Sequence, residues 1–358
     1  MRVCILGVGL SSLTLAKALV NQNIHVDLYA QKKINLLDKS RTIGVSKSNI
    51  DFLNNSILNV DKISWKLKKI EIFSDNLKNE KLINFENNGN QLFSIIHNYK
   101  LFEILEKNLS INKYFKKINF KKNLNILKNY NLIINTDLSN SITKKYFSRK
   151  ILKEYNSIAY STIIHHEKIH NDTAVQIFTK RGPLAFLPIS EKETSVVYSL
   201  HNANDQKNIN VNDLIRKYNH KYKIIKINDP NSFDLISFSL RSYYHDNILA
   251  FGDLLHRIHP LAGQGFNMTI RDIKIITDLI TNKINLGLPL DSSINSEFEK
   301  ILKHKNYIFS SGIDLIHEFF NLERKTNNTI LTKSVKLLGK NTLVNKMFTK
   351  IADRGISF

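Results

Sequence analysis

The first thirty residues of the chain have the pattern of a strand, a tight turn, a helix and a second strand. The segments RVCILG and HVDLYA are apolar runs of strand length, and LTLAKALVNQ between them carries apolar residues at helical spacing. Two strands joined through a helix lie parallel in one sheet, and helices cover both faces of such sheets. The opening therefore predicts an α/β fold built on a parallel sheet.

The turn between the first strand and the helix, GVGLSS, has the spacing of a phosphate-binding turn. Gly7 permits a tight turn, Gly9 lets the backbone approach a pyrophosphate, and Ser12 is small enough for close packing where a third glycine is usual. With the two glycines, Ser11 and Ser12 at the start of the helix are the candidate nucleotide-binding residues of this turn. Taken alone, the turn is equally typical of a nucleotide site and of an ordinary connection.

The end of the second strand lacks the acidic residue that commonly binds a ribose hydroxyl in such folds. Ala30 occupies that place and Gln31 follows it. We therefore predict that Gln31 replaces the usual carboxylate as the ribose partner.

Charge and cysteine content exclude several classes of protein. The net charge is +21, but only 10 of the 52 basic residues are arginine and the lysines are spread along the chain, which favours a solvated surface over a nucleic-acid site. The single cysteine, Cys4, excludes an internal disulfide and a multi-thiolate metal centre, and no metal site is predicted. No signal peptide and no apolar run of membrane-spanning length is present, so we expect a cytoplasmic protein.

A second glycine-rich turn, GDLLHRIHPLAGQGFNMTIRD, follows the apolar run ILAF near residue 250. A carboxylate at the end of a strand can accept hydrogen bonds from hydroxyl groups, and glycines let the backbone approach a flat ring. On these grounds Asp253, Gly263 and Gly265 are candidate binding residues.

This segment resembles the second flavin-binding motif of the FAD-dependent aromatic hydroxylases with the para-hydroxybenzoate hydroxylase fold, and in particular the ubiquinone-biosynthesis branch. The matching residues are Gly252, Asp253, His256, His259, Pro260, Ala262, Gly263, Gln264, Gly265, Asn267 and Asp272. The resemblance implies that FAD is bound, with Asp253 on its ribityl chain and with Pro260, Gln264 and Asn267 also contacting the cofactor. It also implies that NAD(P)H is the electron donor.

Other segments resemble the same family in the same order. Arg41 matches an arginine that lies along the flavin, and the strand GPLAFLPIS matches a strand that faces it, so Phe186 and Pro188 are predicted to line the substrate pocket. A third family motif, an Asp-Gly pair, is altered here because Leu138 follows Asp137. A leucine does not freely adopt positive φ, so the turn must differ or carry strain.

The resemblance covers essentially the whole chain. The segments typical of the parallel sheet lie at the start, near residue 130 and near residue 250, with β-rich stretches between them, so the domains are predicted to be discontinuous. A Rossmann-like FAD-binding domain is predicted over 1–60, 90–145 and 242–292, an interleaved β-rich substrate domain over 61–89 and 146–241, and a helical C-terminal region over 293–358. Near the end of that region, apolar residues recur at helical spacing among lysines. Such a helix is typical both of a membrane surface and of a helix packed on the domain.

The implied activity is that of a monooxygenase which uses O₂ to hydroxylate the ring of a polyprenylated phenol in ubiquinone biosynthesis, through a flavin C4a-hydroperoxide. The cofactor then carries the chemistry, so no catalytic side chain is assigned, and His256 and His259 are interpreted as structural. A polyprenylated substrate would be met at the inner membrane face, where an anionic surface attracts a basic protein, or received from partner proteins of quinone biosynthesis.

Two alternatives remain open at this point. The altered positions Ala30 and Leu138 are also typical of a non-catalytic flavin-fold scaffold subunit in a quinone-biosynthesis assembly. Epoxidation or reduction of an isoprenoid double bond is a second alternative, because one fold supports several reactions. A flavin halogenase is disfavoured, since its motif needs two tryptophans and Trp65 is the only one in the chain.

Overall fold

The structure is a computed structural model that describes residues 2–30, 38–75, 81–86, 89–119, 124–201, 210–259, 263–326 and 342–355. The strands are β1 (Arg2–Leu6), β2 (His25–Ala30), β3 (Thr42–Ser46), β4 (Ser64–Leu67), β5 (Lys69–Ser74), β6 (Lys81–Glu86), β7 (Phe93–His97), β8 (Phe115–Asn119), β9 (Ile133–Asn135), β10 (Lys150–His166), β11 (Thr173–Thr179), β12 (Gly182–Pro188), β13 (Glu193–His201), β14 (Ile224–Ile227), β15 (Asn231–Leu240), β16 (Tyr244–His245), β17 (Ile248–Ala250) and β18 (His256–Arg257). The helices are α1 (Leu10–Asn21), α2 (Lys47–Phe52), α3 (Asn98–Ser110), α4 (Ser141–Tyr146), α5 (Val211–Tyr218), α6 (Gly265–Asn285), α7 (Ser293–Thr326) and α8 (Thr342–Arg354).

The first large sheet contains the predicted βαβ unit. Its strand order is β16-β17-β9-β1-β2-β8, and the five strands from β17 to β8 are parallel. Val3, Cys4 and Ile5 of the central strand β1 are completely buried, as expected for a parallel sheet covered on both faces. The predicted α/β class is confirmed.

The second large sheet has nine strands and is antiparallel except where β5 lies parallel to β11. Its order is β18-β15-β10-β13-β12-β11-β5-β6, with β14 paired to β10. The range 61–89 divides between sheets: β5 and β6 form a hairpin at the edge of this sheet, whereas β4 pairs with β7 in a three-stranded sheet β3-β7-β4. The β-rich parts therefore come from separate stretches of the chain.

Helices α6, α7 and α8 follow the last strands. Buried residues of α6 such as Ile273 and Ile276 pack in the same core as β1, and α7 is a 34-residue helix that extends from this core to the nine-stranded sheet. Within the described residues, no helix combines the length and the apolar character needed to cross a membrane.

Candidate functional site

A cavity of about 860 Å³ lies between the two large sheets. The start of α1 and the turns after β9 and β17 line one end, and one face of the nine-stranded sheet lines the other. The ends of neighbouring parallel strands are where open α/β sheets bind their ligands. The volume of the cavity falls within the range of small-molecule sites. A large elongated ligand therefore has room to contact both sheets.

The turn between β1 and α1 is held tightly at one glycine and left open at the other. Gly7 has φ +112°, and a Cβ atom there would lie 2.3 Å from the hydroxyl of Thr136. A Cβ atom at Gly9 would meet no other atom within 4 Å, and Gly9 lines the cavity. The turn is thus closed towards the protein and open towards the cavity.

The N-terminus of α1 leaves its first amide groups available to a ligand. Gly9 is the N-cap residue and supplies no side-chain cap, and the first turn contains no acidic residue. Leu10 and Ser11, the first residues of α1, also line the cavity. Free N–H groups and the positive end of a helix dipole favour an anion such as a pyrophosphate at this place.

Ser12 lies at the predicted turn but faces the protein. Its side chain is buried, and its hydroxyl is 2.6 Å from that of Thr136, which in turn donates to the carbonyl of Leu6. The prediction that Ser12 contacts the cofactor is therefore corrected. Its role is to join the start of α1 to the end of β9, which its small hydroxyl side chain permits.

The turn after β17 is brought against α1 by a second glycine. Gly252 has φ +62°, and a Cβ atom there would lie 2.6 Å from the side chain of Ser11. Asp253 follows, with an exposed side chain that lines the cavity. The predicted carboxylate and the predicted phosphate turn therefore belong to one site, although more than 240 positions separate them in the chain.

Asn267 lies beneath the cavity wall and is fully buried. Its amide nitrogen donates to the carbonyls of Gly44 (2.7 Å) and Gly263 (3.1 Å). Its oxygen accepts from the amide of Ser46 (2.9 Å) and from Asn49 (2.8 Å). Because these bonds use the whole side chain, the prediction that Asn267 contacts the cofactor is corrected: it fastens the turn before α6 to β3.

Two buried oxygen atoms at the cavity wall have no hydrogen-bond partner in the part of the chain that the structure describes. They are Oε1 of Gln264 and Oδ1 of Asn98, and both residues line the cavity. Buried acceptors without a partner are costly, so they indicate positions where a ligand can donate. Together with the open helix terminus and the Asp253 carboxylate, this set of donors and acceptors fits a flavin dinucleotide.

Arg41 lies at the edge of the cavity before β3. Its guanidinium carbon is 4.7 Å from the centre of the Phe233 ring, a cation–π arrangement, and its carbonyl accepts from the amide of Asn98. The arginine is therefore held between the three-stranded and nine-stranded sheets while it lines the cavity.

The altered Asp-Gly motif forms an ordinary turn. Leu138 is not among the residues with positive φ, and its side chain, 43% exposed, lines the cavity. Both the amide and the hydroxyl of Ser139 donate to Asp137 at 2.8 Å, and Asn140 caps α4 by accepting from the amide of Thr143. The turn therefore differs from a glycine turn and needs no strained backbone at Leu138.

The nine-stranded sheet contributes a flat wall whose residues follow from its register. Ile72 pairs with Gln176, Gln176 with Ala185, Ala185 with Val197, and all four line the cavity. Leu187, two residues along β12, also lines it. This end of the cavity is therefore largely apolar.

Phe186 and Pro188 do not line the cavity, so their assignment to the substrate pocket is corrected. In β12, exposure alternates along the strand, and Phe186, at 2% exposed, packs on the opposite face among residues that include Tyr222. Because successive side chains of a strand point to opposite faces, a shift of one residue exchanges the side chains that face the cavity with those that face away from it. Pro183, Ala185 and Leu187 are the residues of this strand that line the cavity.

His256 pairs with a buried carboxylate beside the cavity. Its Nε2 atom is 2.5 Å from Oδ2 of Asp272, and both side chains are 1% exposed. The pair joins β18 to α6, which begins at the predicted flavin turn. This geometry supports the interpretation of His256 as structural.

His259 is buried at the same turn and packs against other rings. The centre of its ring lies 4.5 Å from that of His317 in α7 and 4.7 Å from that of Tyr155 in β10. Burial lowers the pKa of His259 to about 2, and the nearby His317 and His201 act in the same direction. The imidazole is therefore neutral near pH 7 and packs as an aromatic ring.

Some of the remaining predicted residues lie in the structure, and others fall outside the residues that it describes. Gly263 and Gly265 line the cavity at the start of α6, and Ala30 ends β2 as a buried residue. Gln31 and Pro260 lie outside the described residues, so their predicted contacts stay predictions. Among the residues that the structure describes, no group of three His, Cys, Asp or Glu side chains is placed to hold a metal ion.

Curated relatives resemble parts of this chain. It is 27% identical over 157 residues to the 3-demethoxyubiquinol 3-hydroxylase of Escherichia coli, a match that covers 42% of this chain and 40% of that protein. It is 23% identical over 231 residues to the ubiquinone biosynthesis monooxygenase COQ6 of Danio rerio, covering 52% of this chain and 48% of the relative. These matches span less than half of each relative's length, and no family model matches the chain.

Solved structures match over nearly the whole chain. A p-nitrophenol 4-monooxygenase from Pseudomonas putida superposes with a TM-score of 0.75 at 11% identity, covering 99% of this chain and 98% of that one. The chain has the fold of the FAD-dependent monooxygenases. A variant of HpxO from Klebsiella pneumoniae, solved in complex with FAD, agrees with a TM-score of 0.70 at 12% identity, covering 98% and 99% of the two chains.

Several residues that line the cavity were not predicted from the sequence, because no motif marks them. Gln176 and Val197 line the cavity through strand register, and Thr349 and Ala352 line it from α8. The only sequence signal for the last two is the helical period of the C-terminal segment. That signal left open whether the helix packs on the protein.

Proposed function

We propose that this chain is an FAD-dependent monooxygenase that hydroxylates the aromatic ring of a polyprenylated phenol in ubiquinone biosynthesis. One observation carries the proposal: a single cavity joins an uncapped helix N-terminus, suited to a pyrophosphate, to an apolar sheet wall, suited to a ring with an apolar chain. The relatives named for ubiquinone hydroxylation support the substrate class.

The residues that would hold FAD follow from their positions around the cavity. The α1 amides and the open side of Gly9 would bind the pyrophosphate, and Asp253 would accept from the ribityl hydroxyls. Gln264 and Asn98 would accept from ligand donors through the side-chain oxygens that have no partner among the described residues. When bound, FAD supplies electron transfer from NAD(P)H and the activation of O₂.

The protein's own contribution is to position the ring and to exclude water. The overall change joins one oxygen atom of O₂ to a ring carbon, whose hydrogen is replaced by hydroxyl, and reduces the other atom to water with the hydride of NAD(P)H and one proton. The apolar row Ile72, Ala185 and Val197 keeps water from the reacting end of the cavity. No side chain need act as a nucleophile.

The substrate would be met at an anionic membrane surface or delivered by partner proteins of quinone biosynthesis. The net charge of +21 and the exposed Lys346 and Lys350 on α8 support attraction to acidic lipid headgroups. A purely structural scaffold subunit is not favoured, because the cavity retains open ligand positions and Leu138 sits in an unstrained turn.

A turnover assay tests this function. We expect a farnesylated phenol, presented in vesicles, to stimulate NAD(P)H oxidation and to gain one hydroxyl group per NAD(P)H, with faster turnover in anionic than in neutral vesicles. Val197→Trp should lower kcat/KM for this phenol by about tenfold or more, because the indole fills the wall that the ring contacts.

The matched control is Ile225→Trp, at a residue of the same sheet that is 70% exposed, and it should leave kcat/KM unchanged. NAD(P)H oxidation that yields only hydrogen peroxide with every phenol tested would count against the proposal. An equal change in kcat/KM for the two variants would count against the proposal that the sheet forms the substrate wall.

A further inference from the structure

The C-terminal helix α8 is fixed to the cofactor side of the molecule by its last turn. The carboxylate of Asp353 accepts from the amide of Ser48 at 2.8 Å, and its carbonyl accepts from the hydroxyls of Ser46 (2.9 Å) and Ser48 (2.8 Å). The amide of Ser48 lies in the first turn of α2, where amides have no partner within the helix. Asp353 therefore supplies a hydrogen-bond acceptor to the N-terminus of α2, and this bond fixes the position of α8.

The two faces of α8 have different surroundings. Thr349 and Ala352, three residues apart, line the cavity. Lys346, Met347 and Lys350 are exposed. Residues three or four apart share a face of a helix, so α8 presents one face to the cavity and another to solvent.

The inner face of α8 covers the substrate side of the cavity. Ile351 packs against an apolar cluster that includes Phe178 of β11 and Ile258 after β18, and Ile72 of β5 packs against the same cluster. Ile72 belongs to the row of wall residues that continues through Gln176 and Ala185. The helix thus meets the nine-stranded sheet beside the wall assigned to the ring.

The last turn of α8 ends against Arg271 of α6, a half-buried arginine. Gly355 has φ +75°, and a Cβ atom there would lie 3.0 Å from Nε of Arg271 in α6. The guanidinium of Arg271 stacks over Phe309 of α7 at 4.7 Å. The end of α8 is therefore held from both sides, and its inner face is a fixed part of the wall.

We propose that α8 forms the part of the wall that contacts the bound phenol, with Thr349 and Ala352 as specificity-determining residues. This inference rests on the proposed function. Both side chains are small, so they leave space between the helix and the sheet, and larger side chains at either position take that space from the ligand.

A thiol-labelling experiment on the FAD-loaded protein tests this contact without turnover. The natural thiol, Cys4, is completely buried, and burial raises its pKa, so Thr349→Cys supplies the reactive thiol. A farnesylated phenol at about ten times its dissociation constant should slow labelling of this thiol about tenfold, because only the unliganded fraction reacts.

Lys350→Cys, on the outer face of the same helix, is the matched control, and the phenol should leave its labelling rate unchanged. A phenol that perturbs the flavin absorption spectrum but does not slow labelling of Thr349→Cys overturns the inference and leaves the proposed function standing. A spectrum that no phenol perturbs contradicts the proposed function itself.

A second variant tests the same contact independently of the labelling chemistry. Ala352→Phe should raise the dissociation constant of the farnesylated phenol about tenfold, by crowding the cavity, while the FAD content stays that of the wild type. An unchanged dissociation constant in a folded, FAD-loaded Ala352→Phe protein contradicts the role of α8.

Discussion

Replacing Gly7 with valine is expected to abolish FAD binding and to destabilise the fold. The backbone at Gly7 has φ +112°, and its Cβ atom would lie 2.3 Å from the hydroxyl of Thr136. Forcing a β-branched residue into this conformation costs about 1–3 kcal/mol, and the clash moves β1 away from β9 in addition. Urea unfolding and the flavin absorbance per protein measure both effects.

Gly9→Ala is the matched comparison, since it changes the same turn without strain. The φ of Gly9 is −74°, and a Cβ atom there would meet no atom within 4 Å. Its stability should stay within about 0.5 kcal/mol of the wild type, while the added methyl group occupies space where the pyrophosphate is proposed to approach. If Gly9→Ala retains FAD with wild-type affinity, the phosphate is not bound at this turn.

Removing the carboxylate of Asp272 should cost about 3–5 kcal/mol of unfolding free energy. Asp272 and His256 are both 1% exposed and contact each other at 2.5 Å, so Asp272→Ala leaves a buried polar group without its partner. Since the pair joins β18 to α6, we expect weaker FAD binding as well. The midpoint of urea unfolding and the FAD dissociation constant are the two measurements.

Asp278→Ala is the control on the same helix, because Asp278 is exposed and its loss should change stability by less than about 0.5 kcal/mol. Asp272→Asn keeps a hydrogen-bonding side chain of the same shape. Its unfolding free energy should therefore lie between those of Asp272→Ala and Asp278→Ala. An Asp272→Ala protein as stable as the control would show that the buried pair contributes nothing to the fold.

The parts of the site that the sequence predicted are those in which backbone conformation restricts the residue type. Gly7 and Gly252 are required by positive φ and close packing, so the turns that contain them can be recognised from the chain alone. The βαβ unit at the start of the chain could also be predicted, because the spacing of apolar residues reflects which positions are buried against the parallel sheet.

The parts that could not be predicted depend on contacts between distant segments. Phe186 and Leu187 are neighbours in an apolar strand, and only the pairing register decides which of them faces the cavity. Asn267 matches a binding motif, yet its partners in β3 and α2 lie more than 200 residues away and turn it into a structural bond. A motif therefore located the site without distinguishing residues that contact a ligand from residues that support them.

The visible absorption spectrum of the purified protein, followed by anaerobic addition of NADH and then NADPH, tests the central claim most directly. An FAD-dependent hydroxylase should show bound flavin that is bleached by at least one of the two nucleotides, and a farnesylated phenol should accelerate the bleaching. A protein that is colourless and does not bind added FAD would contradict the proposed function at its first step.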